Sequence, residues 1–333
     1  MNEDVNILGG GISGLACAII LRKNGHDVNV YEKRSSIGAR FNGDWQGLEN
    51  WSEKIDVLEQ IRSYAIDTSS FDYTSLSKLD IHYSNKIRTL QQKNACYFLK
   101  RGNCEECLDT NLCEQAQKLG VNIHFNSSPD ESTPIHVNAT GPKNKQILAK
   151  GIKFTTKHED VYKMGFGSEF AKGFYSYLVI RDGHGTISTV FHHEDAQHSN
   201  KYLQNTVDYF SKYLDKGDLE TGHKFGGYGA FEIKDSFYDE NGAMLIGEAA
   251  GFQDYLWGFG MRYAFQSGYF AARSIMYGES YSDLIKDNLL QKMRHSKRNR
   301  SIFETMGPLA YPLAYYALSS TKKPLKLLNL IYR

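Results

Sequence analysis

The chain has 333 residues, enough for a large core and, by length alone, for two domains. Lysine and arginine number 39 and aspartate and glutamate number 38, so the formal net charge is +1. This balance excludes the strongly basic character typical of nucleic-acid-binding proteins, and we expect no nucleic-acid partner.

The first predicted elements are a strand over 5–8, a glycine-rich turn and a helix. The turn reads Gly9-Gly10-Gly11-Ile12-Ser13-Gly14. Gly9 permits the tight turn, Gly11 lets the backbone approach a pyrophosphate, and Gly14 lets the helix pack closely on the strand. The free N–H groups and positive end of the helix favour phosphates at this turn.

A second strand is predicted over 27–32, ending at Glu32. A carboxylate at this position can accept hydrogen bonds from a ribose, which favours a dinucleotide site over an ordinary turn without a ligand. The basic loop that follows, from Lys33 to Arg40, can reach the phosphates or the adenine. For Arg40 a solvated surface position remains the alternative.

The middle of the chain predicts a second domain. Residues 45–52 are interpreted as a loop and 53–64 as an amphipathic helix, after which 78–100 alternates apolar and polar residues as a small antiparallel sheet does. A hairpin is predicted within 173–194, where Asp182-Gly183-His184-Gly185 forms the turn. Such a sheet would cover the reactive face of a cofactor.

Five cysteines, with a predicted core strand beginning too soon after Met1 for a secretory leader, predict reduced thiols and a cytoplasmic protein. Cys104, Cys107 and Cys113 lack a second ligand pair at zinc-finger spacing, so no metal is predicted. His192 and His193 are adjacent on a predicted strand and are expected to point to opposite faces.

A second glycine-rich segment follows a predicted buried strand near the C-terminal third. The strand ends in Gly247-Glu248-Ala249-Ala250-Gly251, and Trp257-Gly258-Phe259-Gly260-Met261 precedes a helix predicted to run to about Tyr277. A helix N-terminus beside Gly258 and Gly260 suits a flavin pyrimidine ring, which becomes negative on reduction.

These motifs resemble those of the flavoproteins that include geranylgeranyl reductases and, more distantly, aromatic hydroxylases related to p-hydroxybenzoate hydroxylase. The resemblance covers roughly residues 1–280. It implies that Gly9 to Gly14 with Glu32, and the segment from Gly247 to Gly251, bind FAD. It also implies that Arg101 reaches the flavin side chain and that Gly258 to Met261 contact the isoalloxazine. Residues 174–179 are similar to the Tyr-x-Trp-x-Phe-Pro segment of the reductases' substrate domain.

The chain departs from the family pattern at three places. Glu248 replaces an aspartate but keeps a carboxylate, Trp257 to Gly260 replace Thr-Gly-Glu-Gly, and residues 138–141 stand where hydroxylases carry Asp-Gly. The last departure leaves the use of NADPH or NADH as electron donor open.

The resemblance predicts an α/β protein in which a Rossmann-like FAD-binding domain, with a mixed, mainly parallel sheet, carries an inserted substrate domain built on an antiparallel sheet. We assign 1–76, 101–160 and 226–280 to the FAD-binding domain, 77–100 and 161–225 to the substrate domain, and 281–333 to C-terminal helices.

The expected function is an FAD-dependent reductase or dehydrogenase that transfers hydride between flavin N5 and an apolar, isoprenoid- or lipid-like substrate. A flavin-dependent monooxygenase and a flavin-binding protein without redox turnover are the alternatives. Tyr255, as a donor of a proton to the substrate carbon, and Trp257 are the candidates for catalytic residues. The basic and apolar C-terminal helices either contact a membrane surface or close the core with a solvated basic face.

Overall fold

The computed structural model describes residues 4–215, 217–321 and 323–332. The strands, in chain order, are β1 (Val5–Leu8), β2 (Val28–Glu32), β3 (Asp44–Glu49), β4 (Tyr73–Ser75), β5 (Lys78–Tyr83), β6 (Lys86–Gln91), β7 (Cys96–Arg101), β8 (Asn122–Phe125), β9 (Val137–Asn138), β10 (Ile147–Thr155), β11 (Val161–Phe166), β12 (Tyr175–Arg181), β13 (His184–His192), β14 (His223–Gly229) and β15 (Met244–Leu245). The α-helices are α1 (Ile12–Lys23), α2 (Val57–Ser63), α3 (Leu108–Lys118), α4 (Ser199–Phe210), α5 (Met261–Tyr277), α6 (Tyr281–Ile285), α7 (Gln291–Met306), α8 (Ala310–Ser319) and α9 (Pro324–Ile331).

A parallel five-stranded sheet forms the first layer, in the order β15-β9-β1-β2-β8. Its central strand β1 buries Val5 and Ile7, as expected for a strand covered on both faces, and also Asn6, whose amide donates to the Pro134 carbonyl (2.9 Å). The strand predicted near residues 242–251 is reduced to β15, after which a 3₁₀ turn begins at Gly247. The predicted Rossmann-like α/β fold is confirmed.

Glycines let α1 approach its neighbours closely. A Cβ placed on Gly14 would overlap the carbonyl oxygen of Gly9, and one on Gly268 of α5 would lie 2.5 Å from the carbonyl oxygen of Ser13. Helix α1 is therefore held between β1 on one side and α5 on the other, with its N-terminus at the end of β1.

A seven-stranded sheet forms the second layer, in the order β14-β10-β13-β12-β11-β5-β6. The predicted hairpin is confirmed as β12 and β13, and every pair in the sheet is antiparallel except β11 with β5. Strand β10 lies in this sheet, although the predicted boundaries place residues 147–155 with the FAD-binding domain.

A third sheet, β3-β7-β4, corrects two sequence predictions. Residues 45–52 were expected to form a loop, but most of them form β3, which pairs with β7. Strand β7 was expected beside β5 and β6 and instead lies in this separate sheet. The following helix starts later than predicted, because the Asp56 carboxylate caps α2 by accepting from the backbone N–H of Leu58 (2.9 Å).

The C-terminal helices pack on both layers. Tyr281 donates its hydroxyl to the Leu245 carbonyl (2.6 Å) beside the parallel sheet. Arg300 on α7 donates to the Gly173 carbonyl (2.6 Å), and Tyr311 on α8 to the Ala171 carbonyl (2.8 Å), at the start of β12. Within the described residues, no helix combines the length and apolar character needed to cross a bilayer.

Substituting Gly14 tests the close contact between α1 and β1. We expect Gly14→Ala to lower the free energy of unfolding by about 1–3 kcal/mol, because the new methyl group meets backbone that cannot move aside. Gly11→Ala is the matched control, since a Cβ there meets no atom within 4 Å. Urea denaturation of the ligand-free proteins measures both variants, so that bound ligand does not add to the stability of either. Equal stabilities would contradict the close packing of α1 on β1.

Candidate functional site

A cavity of about 590 Å³ is lined by residues of all three sheets and of the C-terminal helices. One end is polar and lies at the carboxyl ends of β1 and β2. The other end is apolar and lies under β5, β6 and β11. This position agrees with the rule that ligands of parallel α/β sheets bind beyond the carboxyl ends of the strands.

The N-terminus of α1 faces the polar end of the cavity. Gly11 is the N-cap and supplies no capping side chain, and the first intrahelical hydrogen bond runs from the Leu15 N–H to the Gly11 carbonyl (2.9 Å). The N–H groups of Ile12, Ser13 and Gly14 therefore have no partner in the helix. Since Gly11 borders open space, an anion can approach these groups directly.

The carboxylate of Glu32 lies beside the glycine turn, as the sequence predicted. One oxygen accepts from the Gly10 N–H (3.0 Å) and the other from the Arg34 N–H (2.9 Å). These two hydrogen bonds fix the carboxylate while each oxygen keeps a free lone pair for a hydroxyl donor. Both Glu32 and Lys33 line the cavity.

An ion pair between Arg40 and Glu248 joins the basic loop to the second glycine-rich segment (2.6 Å). Arg40 also donates to the Tyr228 carbonyl and stacks on the Tyr228 ring. Gly247 stands next to the first motif, because a Cβ on it would lie 2.6 Å from the Ser13 hydroxyl. The structure thus brings together two motifs that are more than 230 residues apart in sequence.

Arg101 also lines the cavity, and its guanidinium binds the carboxylate of Asp109, which the sequence pattern does not indicate. It donates through Nε (2.7 Å) and Nη2 (2.9 Å) to the Asp109 carboxylate, which also accepts from the Gly102 N–H (3.0 Å). All of these groups are buried. The bidentate pair fixes Arg101 over the ring of Phe41, at the wall of the cavity.

The loop from Asp254 to Gly260 forms the wall between the polar and apolar ends. The Asp254 carboxylate accepts from the N–H groups of Leu256 (3.2 Å) and Trp257 (2.7 Å) and from the Ser296 hydroxyl of α7. Gly258 has φ = +80°, a conformation that glycine adopts without strain. The loop ends at Gly260, the N-cap of α5, which has no capping side chain.

Aromatic rings surround the cavity next to this loop. Phe259 lies parallel to Tyr175 at 6.3 Å and edge-on to Trp51 at 4.9 Å, and Trp257 stacks on Phe166 at 5.6 Å. The Tyr177 hydroxyl donates to the Trp45 carbonyl (3.3 Å), whereas among the described residues the Tyr175 hydroxyl has no hydrogen-bond partner. Burial raises the pKa of the Tyr175 phenol, which keeps it protonated near neutral pH.

The far end of the cavity is aliphatic. It is lined by side chains of β5 and β6 and of the last two helices: Leu79, Ile81, Leu90, Leu318, Leu325 and Leu328. Lys163 of the adjacent β11 also lines the cavity, but its charge is paired with Asp80 of β5 (2.9 Å). This end therefore suits an extended apolar group rather than a polar one.

Most of the predicted site residues line this one cavity: Gly9, Gly11, Ser13, Glu32, Lys33, Arg40, Arg101, Glu248, Trp257, Gly258, Phe259, Gly260 and Met261. Gly14 and Gly247 do not line the cavity, but they let the backbone segments next to it pack closely. Tyr255 lies outside the lining, because its ring packs on Phe231 (4.5 Å), so the structure does not place it as a proton donor. Asp44 was missed; it lines the cavity, and burial raises its pKa.

Two predictions about other residues are corrected. Cys104 and Cys107 were expected as reduced thiols but are joined by a disulfide in the loop before α3. The rings of His192 and His193 were expected on opposite faces, but their centroids are 4.7 Å apart, since β13 ends at His192 and a 3₁₀ turn follows. Ligand atoms of this pair and Glu194 lie within 4.8 Å of one another, on the surface and outside the cavity lining.

A family model described as an NAD(P)-binding Rossmann-like domain matches residues 7–45. This segment contains the glycine-rich turn and Glu32. The match therefore agrees with the geometry at the polar end of the cavity.

The chain has the fold of the FAD-binding flavoproteins. A geranylgeranyl bacteriochlorophyll reductase-like protein from Thermoplasma acidophilum matches with a TM-score of 0.60 and 18% identity, over 99% of this chain and 91% of that one. A flavoprotein/dehydrogenase from Cytophaga hutchinsonii matches with a TM-score of 0.68 and 13% identity, and a flavin-dependent brominase with a TM-score of 0.65 and 15% identity. Each match covers 99% of this chain and 93% of the other chain. The predicted resemblance is confirmed for the fold.

Two curated relatives are similar over shorter stretches. Carotenoid 3,4-desaturase of Haloarcula japonica is 36% identical over 87 residues, which are 24% of this chain and 17% of the relative. Gamma-glutamylputrescine oxidoreductase of Escherichia coli is 40% identical over 67 residues, 20% of this chain and 15% of the relative. The matches thus span less than a fifth of each relative's length.

Filling the open space at Gly11 should prevent an anion from reaching the N-terminus of α1. We expect Gly11→Ala to weaken FAD binding by about tenfold or more, because the methyl group separates phosphate oxygens from the free N–H groups. Fluorescence titration of the apoprotein with FAD measures the affinity. Unchanged affinity in a folded variant would contradict this assignment.

Asp254 should make stability depend on pH. Burial raises its pKa to about 6 in the folded protein, above the ordinary value of 3.8. Between about pH 4 and pH 6 the folded state therefore binds more protons than the unfolded state. The free energy of unfolding falls as the pH rises through this range. The nearby phenols of Tyr263 and Tyr332 stay neutral there, since burial raises their pKa values as well.

Asp254→Asn removes this titration. Relative to the variant, the wild-type free energy of unfolding should fall by about 3 kcal/mol between about pH 4 and pH 7. Urea denaturation across this range measures the difference. Parallel pH profiles of the two proteins would contradict the shifted pKa.

Proposed function

We propose that the chain is an FAD-dependent oxidoreductase and, within that class, a reductase or dehydrogenase acting on an apolar substrate. The observation that carries the proposal is a single cavity with a polar end rich in free N–H groups and an aromatic and aliphatic end. A dinucleotide fits the first end, and the second end has the composition of a pocket for a hydrocarbon chain.

The residues present fit FAD. Glu32 would hold the adenosine ribose, and the N-terminus of α1 the pyrophosphate, with Arg40 and Glu248 beside it. The free N–H groups at the start of α5 would face the flavin pyrimidine. Bound FAD would supply two-electron chemistry by exchanging a hydride at N5.

The apolar end would bind substrate mainly by removing hydrocarbon surface from water. Trp257, Phe259 and Tyr175 narrow the cavity next to the proposed flavin site and keep water away from the reacting carbon. The aliphatic side chains beyond them leave room for an extended tail. These features support an isoprenoid- or lipid-like substrate.

Tyr175 replaces Tyr255 as our proposed proton donor. It lines the cavity, and its hydroxyl makes no hydrogen bond to another described residue, so the O–H is free to reach a bound substrate. In the reducing direction it would donate that proton to the carbon next to the one that accepts hydride. A positioned acid of this kind contributes typically 10²–10⁴-fold to a rate.

A flavin-dependent monooxygenase is the second candidate, because the brominase and oxygenases share the fold. A flavin-binding protein without turnover is the third. NADPH or NADH would serve as electron donor in either of the first two.

Anaerobic redox titration separates these functions. The FAD-loaded protein is first titrated with NADPH and NADH, then reduced with dithionite and mixed with geranylgeraniol as an apolar alkene probe. Reoxidation of the flavin with a saturated product would support a reductase. In a parallel aerobic assay with NADPH or NADH, oxygen uptake coupled to a hydroxylated product would support a monooxygenase. Flavin that NADPH and NADH do not reduce, and that the alkene does not reoxidise after dithionite reduction, would support binding without turnover.

Removing the Tyr175 hydroxyl tests the proton donor. We expect Tyr175→Phe to lower the rate of alkene reduction about 10²-fold or more while leaving the flavin spectrum unchanged. Tyr177→Phe is the matched control, because its hydroxyl is already bonded to the Trp45 carbonyl. Equal effects of the two variants on single-turnover rates would exclude this role for Tyr175.

A further inference from the structure

We propose that helices α8 and α9 dock on an anionic lipid bilayer through an exposed apolar surface. We define this C-terminal apolar surface by Leu309, Leu313 and Tyr316, at and within α8, and Leu330 on α9. The proposed partner is a lipid surface. Only the further step, in which the apolar substrate enters from that bilayer, rests on the proposed function.

Exposed apolar side chains are concentrated in this part of the molecule. Of the nine large ones in the described residues, five lie between residues 302 and 330. Leu309 and Leu330 are each 67% exposed and Leu313 is 54% exposed. Leu309, Leu313 and Tyr316 share one face of a helix, since they are spaced by four and then three residues. A grouped apolar face of this kind marks a site of interaction.

The charge around this surface fits anionic headgroups. From Thr305 to the end of the sequence there is no aspartate or glutamate. Two acidic residues of another segment border Leu330, but Glu53 is paired with Lys292 and Asp56 caps α2. Lys323 and Lys326 are exposed on and next to α9, and Lys86 contacts the Tyr316 ring. Apolar residues bordered by lysines are typical of interfacial helices. A second copy of the chain would instead bring like charges together, so a bilayer is the better partner.

The apolar end of the cavity lies behind the same two helices. Leu318 of α8 and Pro324, Leu325 and Leu328 of α9 line the cavity. Both helices thus have residues facing the cavity and others exposed to solvent. A substrate dissolved in a bilayer could pass between the two helices into the cavity without entering water. Exposing a long hydrocarbon chain to water is unfavourable, so such a path would favour its transfer.

Vesicle co-sedimentation of the full FAD-loaded chain tests the docking. The probes are vesicles of phosphatidylcholine alone and of phosphatidylcholine with phosphatidylglycerol. We expect binding to the anionic vesicles, weakened by added salt because screening reduces the lysine contribution. Lys323→Gln and Lys326→Gln should each lower the partition coefficient about fivefold. Combining Leu309→Ser, Leu313→Ser and Leu330→Ser should lower it about tenfold or more.

Matched controls lie outside this surface. Tyr277 is 65% exposed at the end of α5, and the Lys118 side chain is 78% exposed on α3, so Tyr277→Ser and Lys118→Gln should bind vesicles like the wild type. Thermal denaturation confirms that each variant is folded. Equal binding by the surface and control variants would overturn the proposal, as would the absence of wild-type binding to anionic vesicles.

Two further results separate this inference from its alternatives. Analytical ultracentrifugation that shows a dimer, disrupted by the leucine variants and without vesicle binding, would assign the surface to a second copy and overturn the proposal. Vesicle binding is measured by the mass of protein that sediments with the vesicles, and flavin content is measured by absorbance. A preparation without flavin that still binds anionic vesicles would therefore support docking while contradicting the proposed function.

Discussion

The close approach of four backbone segments at the start of α1 is the constraint on which the site depends. Gly9 follows β1, and Gly14 lies in the first turn of α1. Gly247 and Gly268 bring the C-terminal segments against Ser13. A side chain at any of these glycines would meet neighbouring atoms at 2.6 Å or less. Because the segments meet, the free N–H groups of α1 face a cavity that also contacts Glu248 and the start of α5.

The two ends of the cavity are linked by the buried Asp254. Its carboxylate holds the N–H groups of the loop that carries Trp257 and Phe259, and it accepts from Ser296 on α7. The aromatic wall is thereby tied to the C-terminal helices, which also line the aliphatic end. A change in α7 can therefore alter the position of the rings that border the proposed flavin site.

The sequence was most informative where local chemistry decides the structure. The β1-turn-α1 unit, the carboxylate of Glu32 and the hairpin of β12 and β13 follow from short patterns of glycine, charge and alternation. Strand β3 was missed because Gly47 interrupts its pattern; that glycine is needed, since a Cβ there would lie 2.9 Å from the Phe259 ring. The Arg101–Asp109 pair and the choice of Tyr175 over Tyr255 depend on tertiary contacts that spacing does not encode. The Cys104–Cys107 disulfide was missed because reduced thiols were inferred from the number of cysteines.

The visible absorption spectrum of the purified protein, recorded before and after denaturation, tests the central claim most directly. We expect flavin bands that change when the protein unfolds, with FAD recovered in the filtrate. Repeated colourless preparations that bind no added FAD would contradict the account, because the free N–H groups of α1 and the Glu32 carboxylate would then hold another dinucleotide or none.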